Sequence, residues 1–166
     1  MKVNLIGKHE KDSRPCRDAL ALTLKDMMAR DSSICYVDCD LMGCVNTKQL
    51  RQQWPERAIE AGIAEGNAAG VAAGLAATGK KVYLHSFGTF SSRRIYDQIY
   101  MSAAYADLPV HVLGSDAGVS APSMAAPTCL WRTAPCICPS RRRWSSTSAT
   151  MPRWPSSPGL RRTSTP

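Results

Sequence analysis

Glu65, in the run Gly62-Ile63-Ala64-Glu65-Gly66, places a carboxylate at the start of a Gly-rich stretch of helical pattern. Helix packing does not call for an acid there. Two uses are open: an acid that suits the positive end of the helix macrodipole, or a shielded acid that shares a proton with a ligand. A second group, Phe87-Gly88-Thr89-Phe90-Ser91-Ser92-Arg93-Arg94-Ile95-Tyr96-Asp97-Gln98, sets two aromatics, two arginines and an Asp-Gln pair around a strand-to-helix junction. Phe87 and Phe90 are the only Phe residues of the chain. Their flat rings can fill a core, or stack on a planar ligand and keep water from it. Asp38 and Asp40 close a short apolar run, and Asp40 reads equally as a solvated strand-end acid or as a ligand-side one. Cys136 and Cys138 form a C-x-C pair without His or Cys partners at zinc spacing, so they read as incidental thiols and no metal ligands are expected in this chain.

These side chains need elements to hold them. From Pro15, Leu20, Leu24, Met27 and Met28 fall at i, i+4, i+7 and i+8, the stripe of a helix with one face inward. Ile34 to Val37 is a buried strand with carboxylates at its carboxyl end, followed by a loop to about Ile59. The next helix runs from Glu65 to Thr78 and stops at Gly79, carrying Gly62, Gly66, Gly70 and Gly74 at four-residue spacing. Since each Gly inside a helix costs about 1 kcal/mol against Ala, that face implies either another backbone at close range or small-residue packing on a sheet. Lys81 to Ser86 reads as a strand, Ser91 to Tyr105 as a helix stopped before Pro109, and Val110 to Gly114 as a further strand. The β-α-β-α-β order predicts an α/β fold, a parallel sheet covered by helices on both faces, with ligands at the carboxyl ends of its strands.

Composition divides the 166 residues in two. Residues 122–166 contain 7 Arg, no Lys, no acidic residue, 8 of the 11 Pro and 3 of the 4 Trp. That leaves 14 basic and 13 acidic side chains for residues 1–121, so the body carries only +1 of the formal +8 and the tail the rest. A basic tail with Arg141-Arg142-Arg143 and Trp144 raises one rival reading, a nucleic-acid-interacting protein. The near-neutral body argues against it, and no nucleic acid is expected as a partner. No signal-peptide pattern opens the sequence, and the weakly apolar stretch 61–78 is interrupted by Glu65 and Asn67, so neither export nor a membrane span is expected. Seven Cys without an export signal suit a reducing, cytoplasmic setting.

Three segments in order carry a resemblance: Asp40-Leu41-Met42-Gly43; Pro55-Glu56-Arg57-Ala58-Ile59-Glu60-Ala61-Gly62-Ile63-Ala64-Glu65-Gly66-Asn67; and the Phe87-to-Gln98 cluster with Leu108-Pro109-Val110. Over residues 10–121 the chain resembles the pyrimidine-binding domain of the transketolase family of thiamine-diphosphate enzymes. The resemblance implies that Glu65 is the catalytic glutamate, that Phe87 and Phe90 hold the aminopyrimidine ring, that Arg94 and Gln98 border it, and that Asp40 lies on the cofactor side. It also implies a chemistry: the cofactor's own 4'-imino nitrogen removes the thiazolium C2 proton, and a carboxyl hydrogen-bonded to N1' of the pyrimidine stabilises the tautomer that does so.

The family holds the diphosphate and Mg2+ through a Gly-Asp-Gly motif and a following Asn in another domain, and no such pattern occurs here. The resemblance therefore implies a partner, an N-terminal transketolase subunit carrying the pyrophosphate-binding domain, as in the split transketolases of prokaryotes. The activity implied is two-carbon ketol transfer between sugar phosphates, with the isolated chain inactive. Ser115-Asp116 stands where many transketolases have a sugar-contacting His before the Asp, which leaves sugar specificity open. Deoxyxylulose-phosphate synthase and the β subunit of 2-oxoacid dehydrogenases share the Glu and aromatic framework and remain alternatives.

After Ser120 the resemblance stops, and a shifted reading frame explains the tail. Taking the last base of each codon with the first two of the next, Met124-Ala125 (ATG GCN) forces a Gly codon, and the following codons permit Gly-Gly-Thr-His-Met-Ser-Leu-Glu-Asp-Cys-Ala-Met, the family's next segment. Met151-Pro152 and Trp154-Pro155 each force Ala. The offset fits loss of a single base near codons 119 to 122. Residues 1–121 are thus expected to be a partial pyrimidine-binding domain and 122–166 an unstructured, out-of-frame tail.

Overall fold

The computed structural model describes residues 15–116; the expectations for the tail lie outside the described residues. A 15-residue helix α1 (Cys16–Arg30) leads into strand β1 (Ile34–Asp38), followed by α2 (Lys48–Gln53), β2 (Ala58–Glu60), α3 (Glu65–Ala77) and β3 (Lys81–Phe87). A helical segment then combines a π turn (Phe90–Arg94), the α-helical turn α4 (Tyr96–Ile99) and a second π turn (Tyr100–Ala104) before β4 (Val110–Ser115). The strands form a parallel sheet in the order β2-β1-β3-β4. An α/β fold with a parallel sheet, as expected, is what forms.

The stripe on α1 buries Leu24 and Met28 against Ile34 and Tyr36 of β1, Leu50 of α2 and Leu113 of β4. On the opposite face Ala68, Ala69, Ala72 and Ala76 of α3 pack on Cys35, Val37, Val82 and Leu84, joined by Ile95 and Ile99. Burying about 25 cal/mol per Å² of apolar surface drives both layers. Alanine lets the α3 axis sit close to the sheet.

Two expectations need correction. The stretch taken as a loop to Ile59 contains α2 and β2. α2 is six residues long and buries Leu50 alone, and β2 is three residues long, so neither shows a period. The helix expected over Ser91–Tyr105 is broken by the π turns, although Ile95, Ile99 and Ala103 keep a four-residue spacing and are buried. The glycine face of α3 does not pack on the sheet: Gly70 and Gly74 are exposed, and a Cβ on either would meet nothing within 4 Å. Small-residue packing against the sheet is the work of the alanines.

The chain leaves β1 toward one edge, to β2, and leaves β3 toward the other, to β4. The carboxyl ends of β1 and β3 are therefore a topological switch point, where open α/β sheets present a crevice for ligands. The segments after these two strands, from Asp38 to Gly43 and from Phe87 to Arg94, border it.

Candidate functional site

Glu65 is the first residue of α3 and is only 4% exposed. The turn before it uses Gly62 at φ +72°, a conformation glycine enters without penalty. Glu60, at the end of β2, fixes this turn and the neighbouring loop together. Its Oε1 accepts hydrogen bonds from the backbone N–H of Gly62 at 3.1 Å and of Asp40 at 2.6 Å. Glu65 Oε2 lies 3.1 Å from Arg94 Nε, an ion pair in which the N–H is misdirected, so Oε2 completes no hydrogen bond among the described residues. We take the pair as electrostatic, because Arg94 is itself 62% exposed and so mostly hydrated.

Phe87 and Phe90 bracket the β3 exit with ring centroids 6.3 Å apart and planes tilted by 59°. Both are half-buried. The turn between them is seated by backbone contact: a Cβ on Gly114 of β4 would come 2.8 Å from Gly88 Cα. Ser91 Oγ donates to the Leu113 carbonyl at 3.2 Å, and Ser92 Oγ to the Thr89 carbonyl at 3.1 Å. Phe90 and Arg94 then occupy the two ends of one π turn, a geometry that recurs at functional sites.

Asp40 is exposed, at φ +61°, a conformation short polar side chains tolerate. It stands at the same end of the sheet, held through its backbone by Glu60 rather than by Glu65 or the Phe pair. The structure thus brings Glu65 to Arg94 and Phe87 to Phe90, and leaves Asp40 on the rim.

Several residues were not singled out by sequence reasoning. Asp38 is fully buried and accepts from the Tyr36 hydroxyl at 2.5 Å and from the Leu41 N–H, and lies 2.7 Å from His85 Nδ1. The Thr47 hydroxyl donates to the Tyr36 hydroxyl at 3.3 Å. Burial, reinforced by the Asp38 charge, pushes the Tyr36 phenol well above its ordinary range. This network ties the Asp40 loop and the β3 exit to the sheet. Cys39, on the other face, has its thiol pushed up to about 12 by burial first and then by the Glu65 and Asp38 charges. Alternation along β3 could have suggested His85 as inward-pointing; nothing in its spacing marks its Asp38 partner.

Buried polar atoms without a hydrogen-bond partner among the described residues gather at this end: Glu65 Oε2, His85 Nε2, Ser86 Oγ, Thr89 Oγ1 and Ser115 Oγ. The Ser86 hydroxyl does lie near enough to moderate the Cys39 thiol, though without completing a hydrogen bond. Native interiors pair nearly all such atoms, so a cluster of them beside an acid and two aromatic rings suits a polar, planar ligand. Among the described residues no group of three or more His, Cys, Asp or Glu could hold a metal ion. None of the described helices is long and apolar enough to cross a membrane.

Residues 12–128 match the family model described as transketolase, pyrimidine binding domain. The chain belongs to this family. Among curated relatives, the 6-deoxy-6-sulfo-D-fructose transketolase subunit SqwH of Clostridium sp. (strain MSTE9) is 48% identical over 105 residues, covering 63% of this chain and 33% of the relative. The 1-deoxy-D-xylulose-5-phosphate synthase of Rhodopirellula baltica is 34% identical over 116 residues, 67% of this chain and 18% of the relative. Among solved structures, a split gene transketolase described as an inactive beta4 tetramer superposes with a TM-score of 0.56 at 33% identity, over 61% of this chain and 34% of that one. The pyrimidine-binding-domain chain thus spans about a third of the length of the first relative. The expected resemblance and fold are borne out.

Proposed function

We propose that this chain supplies the aminopyrimidine side of a thiamine-diphosphate site in a two-chain transketolase that transfers a two-carbon ketol unit between sugar phosphates. The observation that carries the reading is the buried carboxyl of Glu65, whose Oε2 completes no hydrogen bond among the described residues at the switch point of the sheet. The residues present fit the cofactor's ring: an acid to share a proton with N1', half-buried Phe87 and Phe90 to flank the ring and exclude water, Arg94 beside the acid, and Asp40 at the rim. When bound, thiamine diphosphate supplies the carbon acid and electron sink needed for cleavage next to a carbonyl. Glu65 holds a proton at N1', which is general acid-base help of the kind worth about 10²- to 10⁴-fold.

The diphosphate and its magnesium fall to the partner, an N-terminal subunit with a pyrophosphate-binding domain. The exposed Gly70 and Gly74 leave the α3 face open to a backbone from another chain. In this reading residues 1–121 form a partial pyrimidine-binding domain, residues 122–166 are the product of a lost base, and the intact protein works in the cytoplasm. Deoxyxylulose-phosphate synthesis is the second reading, favoured by the 34% identity over 116 residues to a protein named for that activity. Consumption of pyruvate rather than a ketose phosphate as two-carbon donor distinguishes it.

The test is Glu65→Gln in a frame-restored protein assembled with its partner. The variant keeps the side chain's shape and lacks its acid. Turnover and the exchange of the cofactor's C2 proton should both fall about 10²- to 10⁴-fold, with folding little changed. Exchange at the parental rate with cofactor fully bound would make Glu65 an ordinary helix-terminal acid.

A further inference from the structure

Two side chains reach from the segment after β3 to the first turn of α3. Arg94 Nε stands 3.1 Å from Glu65 Oε2. Gln98, four residues on, lies over Gly66, where a Cβ would come within 4.0 Å of its Cδ. Arg94 therefore spans the carboxyl that the functional reading assigns to the cofactor ring. The two ends of the pair differ sharply: Glu65 is 5% exposed at its side chain and Arg94 62%. A hydrated guanidinium with a misdirected N–H is a weak partner, since exposed ion pairs are worth little. A buried carboxylate stripped of its counter-ion is costly unless a new donor takes its place.

We propose that Arg94 is a displaceable counter-ion, which occupies Glu65 Oε2 in the cofactor-free chain and yields it when the aminopyrimidine ring arrives. This rests on the assignment of Glu65 to that ring. The π turn from Phe90 to Arg94 provides the movement: shifting one hydrogen bond toward α-helical register turns the guanidinium outward while Ile95, which is buried, stays anchored. Released from the guanidinium, the Glu65 carboxyl takes up a proton from solvent and shares it with the ring nitrogen, whose lone pair accepts it, and Arg94 returns to solvent. Arg94 thus opposes binding at Glu65, so losing it should tighten the ring rather than loosen it.

The experiment titrates the full chain with the aminopyrimidine half of thiamine as its hydroxymethyl alcohol, lacking thiazolium and diphosphate, and follows amide signals of residues 62–66 and 86–94. Arg94→Gln should bind the ring about two- to fivefold more tightly than the parent, and the gain should vanish in the Glu65→Gln background, as a double-mutant cycle requires of a pairwise effect. In the ligand-free parent the Arg94 Nε–H signal should differ from that in Glu65→Gln and, on saturation with ring, move toward the position it has in that variant. Unchanged or weaker binding by Arg94→Gln, with the ring still bound near Glu65, would overturn the counter-ion role and leave the assignment of Glu65 standing. Failure of the parent and every variant to bind the ring would overturn that assignment and this inference with it.

Discussion

At the first position of α3 a negative charge is favoured by the helix N-terminus alone, so Glu65 has a structural use whatever binds beside it. What that use does not explain is depth: a helix-terminal acid is served by solvent, whereas this one is buried, and its charge adds to the burial that raises the Cys39 thiol. Its buried Oε2 is met by an exposed arginine rather than a directed donor. Phe90 differs in kind, since it offers a surface and no proton. Phe90→Ala in the assembled protein should raise the dissociation constant for thiamine diphosphate about three- to tenfold, the scale of an aromatic stacking contact, while C2 exchange in the bound cofactor stays near the parental rate. Calorimetry with the exchange assay separates the two effects, and a loss of exchange with unchanged affinity would place Phe90 in the chemistry instead.

Elements set these positions through their ends. The β3 exit is seated on β4 with backbone against backbone at Gly88 and Gly114. Gly114→Ala should lower unfolding stability by about 1–3 kcal/mol, as overpacking does, and should broaden the amide signals of Phe87 to Phe90; a variant as stable as the parent would show that the turn yields freely. A second clamp joins the α1–β1 turn to the start of β3. Asp31 accepts from the Ser33 hydroxyl at 2.6 Å and pairs with Lys81 at 2.9 Å. The Ser33 hydroxyl first and Lys81 next hold the Asp31 carboxyl well below its ordinary 3.8, and Asp31 raises Lys81 above its ordinary 10.5. A carboxyl lowered on folding adds stability above 3.8 and loses it as pH falls toward the folded value; an ammonium raised on folding adds stability below 10.5 and loses it above. Urea midpoints should therefore sag at both extremes. Asp31→Asn should flatten part of the acid limb, modestly because the pair is solvent-exposed, and an acid limb identical in the variant would remove the clamp from the account.

The long elements were legible because their periods are written over many residues. Leu24 and Met28 mark α1, the apolar runs mark β1, β3 and β4, and Gly79 at φ +87° ends α3 where a stop was expected. β2 and α2 were not legible, being three and six residues whose place is set by pairing with β1 and by burying Leu50. The π turns were invisible for another reason: Ile95 and Ile99 flank the α-helical turn between them and keep its four-residue spacing. Of the site, Glu65, Phe87 and Phe90 stood out by residue type and position and Arg94 followed from the resemblance, whereas the Arg94–Glu65 and His85–Asp38 pairs join residues far apart in the chain and follow only from the sheet order.

As a whole molecule, the described chain offers one wall of a site. It has an acid and aromatic rings at the switch point and, among the described residues, no cluster able to hold a metal ion. The α3 face bearing Gly70 and Gly74 stands open. On the proposed reading, a cofactor with a ring at one end and a diphosphate at the other docks its ring here and its diphosphate on the partner. The account is therefore tested most directly by calorimetric titration of thiamine diphosphate, with and without magnesium, into this chain alone and into its mixture with an N-terminal transketolase subunit. Weak, magnesium-independent binding to the chain alone and tight, magnesium-dependent binding to the mixture is the predicted result; tight, magnesium-dependent binding to the isolated chain would contradict it.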